Sequence, residues 1–213
     1  MVDLVIFDCD GVLVDSEPIA NRVLADMLGE LGLHLTQTQI FEHFVGYSIP
    51  DCLKVIERML GRAQPPTFPS DLQARTFEAF RSGLTAMPGI EHALDHLGAP
   101  SCVASSGDHE KMRMTLGLTG LLPRFDGRLF SVTQVAHGKP APDVYLLAAS
   151  ELGAAPAECV VVEDTPPGVR AGVAAGMTVF GFSAHTPAET LRDVGAYRTF
   201  SAMQSLPQLL RAL

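Results

Sequence analysis

The sequence predicts an α/β fold, with a doubly wound parallel sheet as its core and a helical cap domain inserted into that core. Three observations predict it. The apolar run Leu4–Phe7 is typical of a parallel strand that is buried on both faces. Residues 17–88 contain no convincing buried strand. The rest of the chain alternates strand with helix, which indicates right-handed crossovers between parallel strands.

The insertion is predicted to be helical along most of its length. Its apolar spacing predicts four helices, at residues 17–32, 36–44, 48–61 and 67–85. A crossover between parallel strands needs only about a dozen residues, whereas some seventy separate Asp15 from the next core helix. We therefore place the core at residues 1–16 and 88–213 and the helical cap at residues 17–87.

The alternating region supplies the other core elements. Its predicted strands lie at residues 101–105, 128–131, 159–163 and 177–182, and its predicted helices at residues 90–98, 108–117, 142–152 and 167–175. A polar helix at 187–194, a short strand at 198–200 and a last helix at 203–211 complete the chain. The repeated glycines Gly168, Gly172 and Gly176 are expected to permit close packing of a helix on the sheet.

The composition excludes several function classes. With 47% hydrophobic and 18% charged residues, the 213-residue chain is expected to fold as a globular protein with reduced cysteines in its core. No apolar stretch reaches the ~18 residues of a membrane span and no leader-like segment precedes the first strand, so we expect a cytoplasmic location. A net charge of −9 without a Lys/Arg run disfavours nucleic acid and membrane partners. We expect a monomer.

Two carboxylates end the first strand. Asp8 and Asp10 follow Phe7 directly, and Gly11 then provides a turn. Open α/β sheets bind ligands at the carboxyl ends of their strands. One carboxylate can attack an electrophile while the other exchanges a proton, provided that a cation offsets their repulsion. A simpler interpretation is a strand followed by an acidic helix cap.

Three other segments place polar residues after predicted core elements, at the same expected edge of the sheet. Ser105 and Ser106 follow the second strand, Lys139 precedes a proline-started helix, and Glu163 and Asp164 end a very apolar strand. Each has an ordinary alternative: a capped turn, a solvated loop lysine and an acidic first turn of a helix, respectively.

Together these segments resemble the four motifs of the haloacid dehalogenase superfamily. The match is longest in the first motif, in which the form Asp-x-Asp-Gly-x-Leu-x-Asp-Ser-Glu is typical of its phosphatases. The resemblance implies a Rossmann-like core with a type 1 helical cap, in the β-phosphoglucomutase-like branch, nearest to its sugar-phosphate phosphatases. In such enzymes the cap closes over the phosphate site.

The resemblance also implies roles for the motif residues. Asp8 would attack phosphorus, and Asp10 would protonate the leaving alcohol and then deprotonate the attacking water. Ser105 would bind a phosphate oxygen, and Lys139 would contact both the nucleophile and the phosphate. The implied function is hydrolysis of a small phosphorylated metabolite, a sugar phosphate or sugar-acid phosphate, through a phosphoaspartyl intermediate.

The charges at this edge imply a metal ion. Four carboxylates carry up to four negative charges, and a phosphate monoester adds roughly −1.5 to −2. We expect Lys139 to be the only nearby cation, and it cannot balance this charge. Mg²⁺ suits oxygen ligands and substrate phosphate. The predicted ligands are Asp8, Asp10, Glu163 and Asp164, with direct or water-mediated binding by Glu163 left open.

Substrate recognition is assigned to the cap and to the second motif, the segment that contains Ser105 and Ser106. The predicted substrate-binding residues are Asn21, Gly46, Tyr47, Ser48 and Ser106, although the segment around Gly46 could simply join two helices. The alternative activity is a phosphosugar mutase. The positions that match the mutases' histidine and arginine are Ala20 and Ile49, which disfavours it. A third alternative is a non-catalytic protein that binds a phosphometabolite.

Overall fold

Six parallel strands form a single sheet in a computed structural model that describes residues 2–44 and 49–213. The strands are β1 (Leu4–Phe7), β2 (Ser101–Ser105), β3 (Leu129–Ser131), β4 (Cys159–Glu163), β5 (Thr178–Phe182) and β6 (Arg198–Phe200). Their order is β3-β2-β1-β4-β5-β6, and every paired neighbour is parallel. The predicted doubly wound parallel sheet is therefore confirmed.

The order of the strands reverses direction between β1 and β4, and ligands bind outside the carboxyl ends at such a switch point. Every residue of β1 and β4 is buried, because both strands lie in the middle of the sheet under helices. Phe7, the last residue of β1, is in register with Val103 of β2 and Val162 of β4. The polar residues that follow these strands consequently emerge side by side.

The chain divides into two compact units. One comprises the chain up to Val14 together with Ala86–Leu213, and the other comprises Asp15–Thr85. These boundaries lie two residues earlier than the sequence predicts at both junctions. The reason is local pairing: Val14 forms an antiparallel bridge with Ala86, and the Met87 amide donates to the Leu13 carbonyl at 2.9 Å.

The second unit is helical. Its described helices are α1 (Glu17–Glu30), α2 (Gln37–Phe44), α3 (Ile49–Leu60) and α4 (Phe68–Gly83). It has an apolar core of its own, built around Leu28, Ile40 and Ile56, none of which is exposed. The prediction extends α1 by two residues too many, because Gly32 has φ +88° and ends the helix.

The remaining helices belong to the first unit. They are α5 (Ile90–Asp95), α6 (His109–Leu118), α7 (Asp143–Glu151), α8 (Pro166–Ala174), α9 (Ala188–Asp193) and α10 (Leu206–Arg211). The prediction for α5 runs three residues too long. Residues 203–205 form a 3₁₀ turn instead of the start of the last helix. Turns of this kind are too short to give a helical period in the sequence.

The three glycines in and just after α8 are each required for a different reason. A Cβ on Gly172 would lie 2.6 Å from Val179 Cγ2, so this glycine lets the helix pack closely on β5. A Cβ on Gly168 would lie 1.6 Å from Glu163 Oε1, so that glycine makes room for a carboxylate. Gly176 has φ +75° and ends the helix. The packing expectation therefore holds for Gly172 alone.

All four cysteines are buried thiols, as the sequence predicts. Burial raises the pKa of Cys9 well above its usual value, and Asp10 and Asp8 add to the effect. Cys9 is therefore a poor nucleophile despite its place between two aspartates. In residues 2–44 and 49–213, no helix combines the length and the apolar character that a membrane span requires.

Candidate active site

The loop after β1 places Asp8 and Asp10 at the carboxyl edge of the sheet. The Asp8 amide donates to the Val162 carbonyl at 3.0 Å, which extends the β1–β4 pairing by one residue and fixes the start of the loop. Gly11, at φ +73°, then turns the chain, and its amide donates to the Val14 carbonyl at 2.9 Å. The two aspartates are thus held by backbone pairing on both sides.

Lys139 joins β1, β2 and β4 at their carboxyl ends. Its Nζ donates to Asp8 Oδ1 at 2.6 Å, to Glu163 Oε1 at 2.8 Å and to the Ala104 carbonyl at 3.0 Å. Only 3% of the Lys139 side chain is exposed. The three contacts use all three ammonium protons and fix the Asp8 carboxylate from one side.

Glu163 is bound through both carboxylate oxygens. Oε1 accepts from Lys139 and also from the Tyr145 hydroxyl at 3.1 Å. Oε2 accepts from the Thr165 amide at 2.8 Å and from the Thr165 hydroxyl at 3.0 Å. The Tyr145 ring lies 4.7 Å from Lys139 Nζ, an additional cation–π contact. In this structure Glu163 therefore holds Lys139, and its predicted role as a metal ligand stays a prediction.

Asp164 faces the loop that follows β1. Its side chain is buried, and its Oδ2 would lie 2.2 Å from a Cβ placed on Gly11. Only a glycine at position 11 leaves room for this carboxylate. Asp164 thereby comes next to the Asp8–Gly11 turn, although more than 150 residues separate them in the chain.

The turn after β2 lies on the other side of Asp10. Ser105 is buried, and its Oγ accepts from the Gly107 amide at 3.0 Å. Ser131 Oγ donates to the Gly107 carbonyl at 2.8 Å and so ties this turn to β3. A Cβ on Gly107 would lie 3.4 Å from Ser105 Oγ and 3.9 Å from Asp10 Oδ2. The hydroxyl of Ser105 and the carboxylate of Asp10 therefore border the same small space.

A second lysine also enters the site. Lys111 Nζ donates to Asp10 Oδ2 at 2.8 Å. The expectation that Lys139 is the only nearby cation is therefore wrong. Lys111 lies in the first turn of α6, which begins where the Ser105–Gly107 turn ends. The two lysines divide the aspartates between them: Lys139 binds Asp8, and Lys111 binds Asp10.

Burial is the largest single influence on the pKa of Asp8 and on that of Lys139. Burial raises the pKa of Asp8 to about 7, with Glu163 and Asp10 adding to the increase and Lys139 opposing it. Burial lowers the pKa of Lys139, but the charges of Asp8 and Glu163 outweigh that effect and leave it well above its usual value. The lysine is thus a permanent cation, and the site retains an excess of carboxylates over cations.

The donor chemistry of the site fits Mg²⁺, although the described residues form no cluster of three or more His, Cys, Asp or Glu side chains suited to a metal. Mg²⁺ commonly uses only one or two protein carboxylates and completes its shell with water and substrate phosphate. Asp8, at the start of the Asp8–Gly11 turn, and Asp164, against Gly11, are buried carboxylates that supply hard oxygen donors. A complete protein cage is not needed.

The structure brings together the six residues that the sequence motifs select, namely Asp8, Asp10, Ser105, Lys139, Glu163 and Asp164. Of the predicted substrate-binding residues, Ser106 directly follows Ser105 in the turn after β2. Asn21 lies half-buried on α1 in the other unit, and Ser106 is exposed. Gly46, Tyr47 and Ser48 lie outside the described residues.

Sequence reasoning missed Tyr145 and Lys111 as site residues. Tyr145 occupies an inward position of α7, where an apolar residue would equally satisfy the helical pattern. Lys111 carried one signal: a cation in the first turn of a helix is unfavourable beside the helix dipole, so its presence there calls for a compensating anion.

Comparison with known proteins places these motifs in a family. The model of the haloacid dehalogenase-like hydrolase family matches residues 2–176. The 6-phosphogluconate phosphatase of Escherichia coli is 31% identical over 212 residues, which are 99% of this chain and 96% of that protein. Hexitol phosphatase A of the same species is 36% identical over 192 residues, 88% of this chain and 85% of that protein. These relatives confirm the resemblance to sugar-phosphate phosphatases.

A solved structure agrees with the fold over nearly the whole chain. A HAD family hydrolase from Deinococcus radiodurans, determined with bound phosphate and sodium, superposes with a TM-score of 0.82 at 34% identity. The match covers 99% of this chain and 96% of that one. The correspondence therefore includes the core and the helical insertion.

Proposed function

The chain belongs to the haloacid dehalogenase-like hydrolase family, and from this membership and its site we propose a Mg²⁺-dependent phosphatase that acts on a small phosphorylated sugar or sugar acid. Phosphatases among its relatives support the reaction class, and two of them carry sugar-derived substrates in their names. The observation that carries the proposal is the buried Asp8 carboxylate, oriented through one oxygen by Lys139, with Asp10 two residues away.

The first step is phosphoryl transfer to Asp8. Because Lys139 holds Oδ1, Oδ2 is the oxygen assigned to attack phosphorus. A bond forms between Oδ2 and phosphorus as the bond from phosphorus to the ester oxygen breaks. Asp10 donates its proton to the departing oxygen, so the alcohol leaves neutral and Asp10 becomes a carboxylate. The Ser105 hydroxyl, which accepts from the Gly107 amide and keeps its own proton, donates to a phosphoryl oxygen, and the Lys139 ammonium supplies positive charge beside it.

The second step regenerates the enzyme. The Asp10 carboxylate takes a proton from water, and the resulting hydroxide forms a bond to phosphorus. The bond between phosphorus and Asp8 Oδ2 breaks, which releases inorganic phosphate and restores the Asp8 carboxylate. One residue thus acts as acid in the first step and as base in the second, and the protons balance over the cycle.

We assign Mg²⁺ to the buried carboxylates of Asp8 and Asp164, and Asp10 and Glu163 remain predicted ligands. When bound, the ion supplies positive charge to the transferring phosphoryl group and offsets the excess of carboxylates. Lys139 and Lys111 together offset only part of that excess, even before the phosphate adds its own charge.

Hydrolysis is favoured over mutase activity by one position in the helical unit. The residue that matches the mutases' histidine is Ala20 on α1, which has no group to relay a proton. A mutase also retains its phosphoryl group between two half-reactions, whereas the relatives described above are phosphatases by name.

Release of inorganic phosphate from a panel of sugar phosphates tests this proposal. With Mg²⁺ we expect turnover of at least one member of a panel that includes 6-phosphogluconate and hexitol phosphates, and none after addition of EDTA. Asp8→Asn should abolish turnover without unfolding the protein, because it removes the nucleophile but keeps its shape. Formation of a phosphate isomer without phosphate release would instead indicate a mutase. No reaction with any ester would indicate a binding protein.

A further inference from the structure

We propose that Lys111 is a positioning residue for Asp10, which holds the carboxylate in place for proton exchange with the leaving group and with water. This role rests on the proposed phosphatase function. The supporting contact is the 2.8 Å hydrogen bond from Lys111 Nζ to Asp10 Oδ2.

The ion pair between Lys111 and Asp10 is partly buried. The Lys111 side chain is 29% exposed and that of Asp10 is 17% exposed. An exposed ion pair of this kind is largely screened, whereas a partly buried pair keeps more of its attraction. Lys111 can therefore set the orientation of the Asp10 carboxylate, which a fully exposed lysine could not do.

The local structure aims Lys111 at this site. Asp108 caps α6, and its Oδ1 accepts from the Lys111 amide at 2.8 Å, which fixes the backbone from which the side chain extends. The aliphatic part of Lys111 passes over Gly107, where a Cβ would lie 3.3 Å from Lys111 Cδ. Because Gly107 has no side chain, it leaves room for the Lys111 side chain to reach Asp10.

The first turn of α6 is an unfavourable place for a lysine unless a nearby anion compensates. The first turn of a helix favours anions, and a cation there loses about 0.3–1 kcal/mol in exposed settings. The sequence has only three lysines, and two of them contact the aspartates of the first motif. Asp10 offsets the cost at Lys111. Lys111 in turn counters the repulsion between Asp8 and Asp10.

The proposal predicts that losing Lys111 matters most when the leaving group needs a proton. We compare kcat/KM for an alkyl phosphate, which leaves as an alcohol, and for p-nitrophenyl phosphate, which leaves as a stable anion. Because general acid catalysis contributes about 10²–10⁴-fold, we expect Lys111→Met to lower kcat/KM about tenfold or more on the alkyl ester. We expect it to lower kcat/KM less than about threefold on the aryl ester.

Double substitution separates this role from a structural one. If Lys111 acts through Asp10, Lys111→Met should add nothing to the loss already caused by Asp10→Asn. Lys111→Arg keeps a cation and should recover part of the activity on the alkyl ester. The matched control is Lys54→Met, which removes an exposed lysine that pairs with Asp51 at the same 2.8 Å and should leave both kcat/KM values unchanged.

The outcomes distinguish the two proposals. Equal losses on both esters, or a further loss in the Asp10→Asn background, would overturn the role of Lys111 and leave the phosphatase intact. Wild-type protein that releases no phosphate, or Asp10→Asn protein with undiminished kcat/KM on the alkyl ester, would overturn the proposed function together with this inference. Urea unfolding of each variant guards against misfolding as the cause of a loss.

Discussion

Lys139 and Lys54 make the same kind of contact in opposite surroundings. Lys139 binds Asp8 and Glu163 at 2.6 and 2.8 Å at the edge of the sheet, and its side chain is 3% exposed. Lys54 binds Asp51 at 2.8 Å on the surface of the helical unit, with 70% of its side chain exposed. The distances are nearly equal, so the geometry of a pair alone does not reveal what the pair does.

Burial makes the difference. Taking an ion out of water costs several kcal/mol, and a buried pair repays this only while both partners are present. A surface pair gains and loses little, with a median near 0–1 kcal/mol. The buried network around Lys139 is therefore costly to assemble and costly to break. Such a buried network is expected where charge is needed for chemistry. Breaking the surface pair should change the free energy of unfolding only slightly.

The largest effect is expected from Lys139→Met. The substitution leaves Asp8 and Glu163 buried without their shared cation, and we expect a loss of about 3–5 kcal/mol in the free energy of unfolding. Phosphatase activity should disappear as well. Urea unfolding and phosphate release measure the two effects. A loss of stability below 1 kcal/mol would show that the network is solvated after all, and the contrast with Lys54 would fail.

Gly168→Ala should also disturb the buried network, because the added methyl group displaces Glu163. The added methyl would lie 1.6 Å from Oε1, and four hydrogen bonds prevent that carboxylate from moving aside. Over-packing of this kind typically costs about 1–3 kcal/mol, and displacement of Glu163 should also lower kcat through Lys139.

Gly83→Ala is the matched control for this substitution. Gly83 is helical and has nothing within 4 Å of the added methyl. Replacement of a helical glycine by alanine there should be neutral or stabilising by up to about 1 kcal/mol. Equal destabilisation by both substitutions would contradict the role assigned to Glu163.

The sequence predicted much of the fold, because the sheet follows from local apolar runs with abrupt ends. Strands 101–105, 159–163 and 198–200 match the structure to the residue. Helix ends were less accurate. They depend on single cap residues and short 3₁₀ turns, which leave no periodic signal.

The candidate site was predictable as far as strand ends and motifs define it. Lys139 and Glu163 could be placed at one edge of the sheet, but their direct contact could not, since it depends on how far each side chain reaches. Tyr145 and Lys111 lie on helices, and the face of a helix that meets the edge is set by tertiary packing. The prediction therefore placed the motif residues at one edge of the sheet and missed Tyr145 and Lys111, which contact Glu163 and Asp10 there.

A smaller effect is expected from Tyr145→Phe, which removes one hydroxyl from the buried network. Glu163 Oε1 loses one donor but keeps Lys139, and the ring remains beside the ammonium group. The net contribution of a hydrogen bond to the free energy of unfolding is about 0.5–1.5 kcal/mol, and somewhat more when one partner is charged. We expect a loss in that range in urea unfolding, with kcat lowered only a few-fold. A complete loss of activity would mean that the hydroxyl has a direct role.

The smallest effect is expected from Lys54→Met, and it completes the comparison. Lys54 and Asp51 are three residues apart on α3, and helical pairs at this spacing contribute about 0.2–0.5 kcal/mol in isolated helices. Salt should reduce even this value, because solvent-exposed charges are screened. Urea unfolding at low and high ionic strength measures both statements. A loss above 1 kcal/mol that persists at high salt would show that exposure does not predict the strength of a pair in this protein, and the energetic argument made for Lys139 would lose its basis.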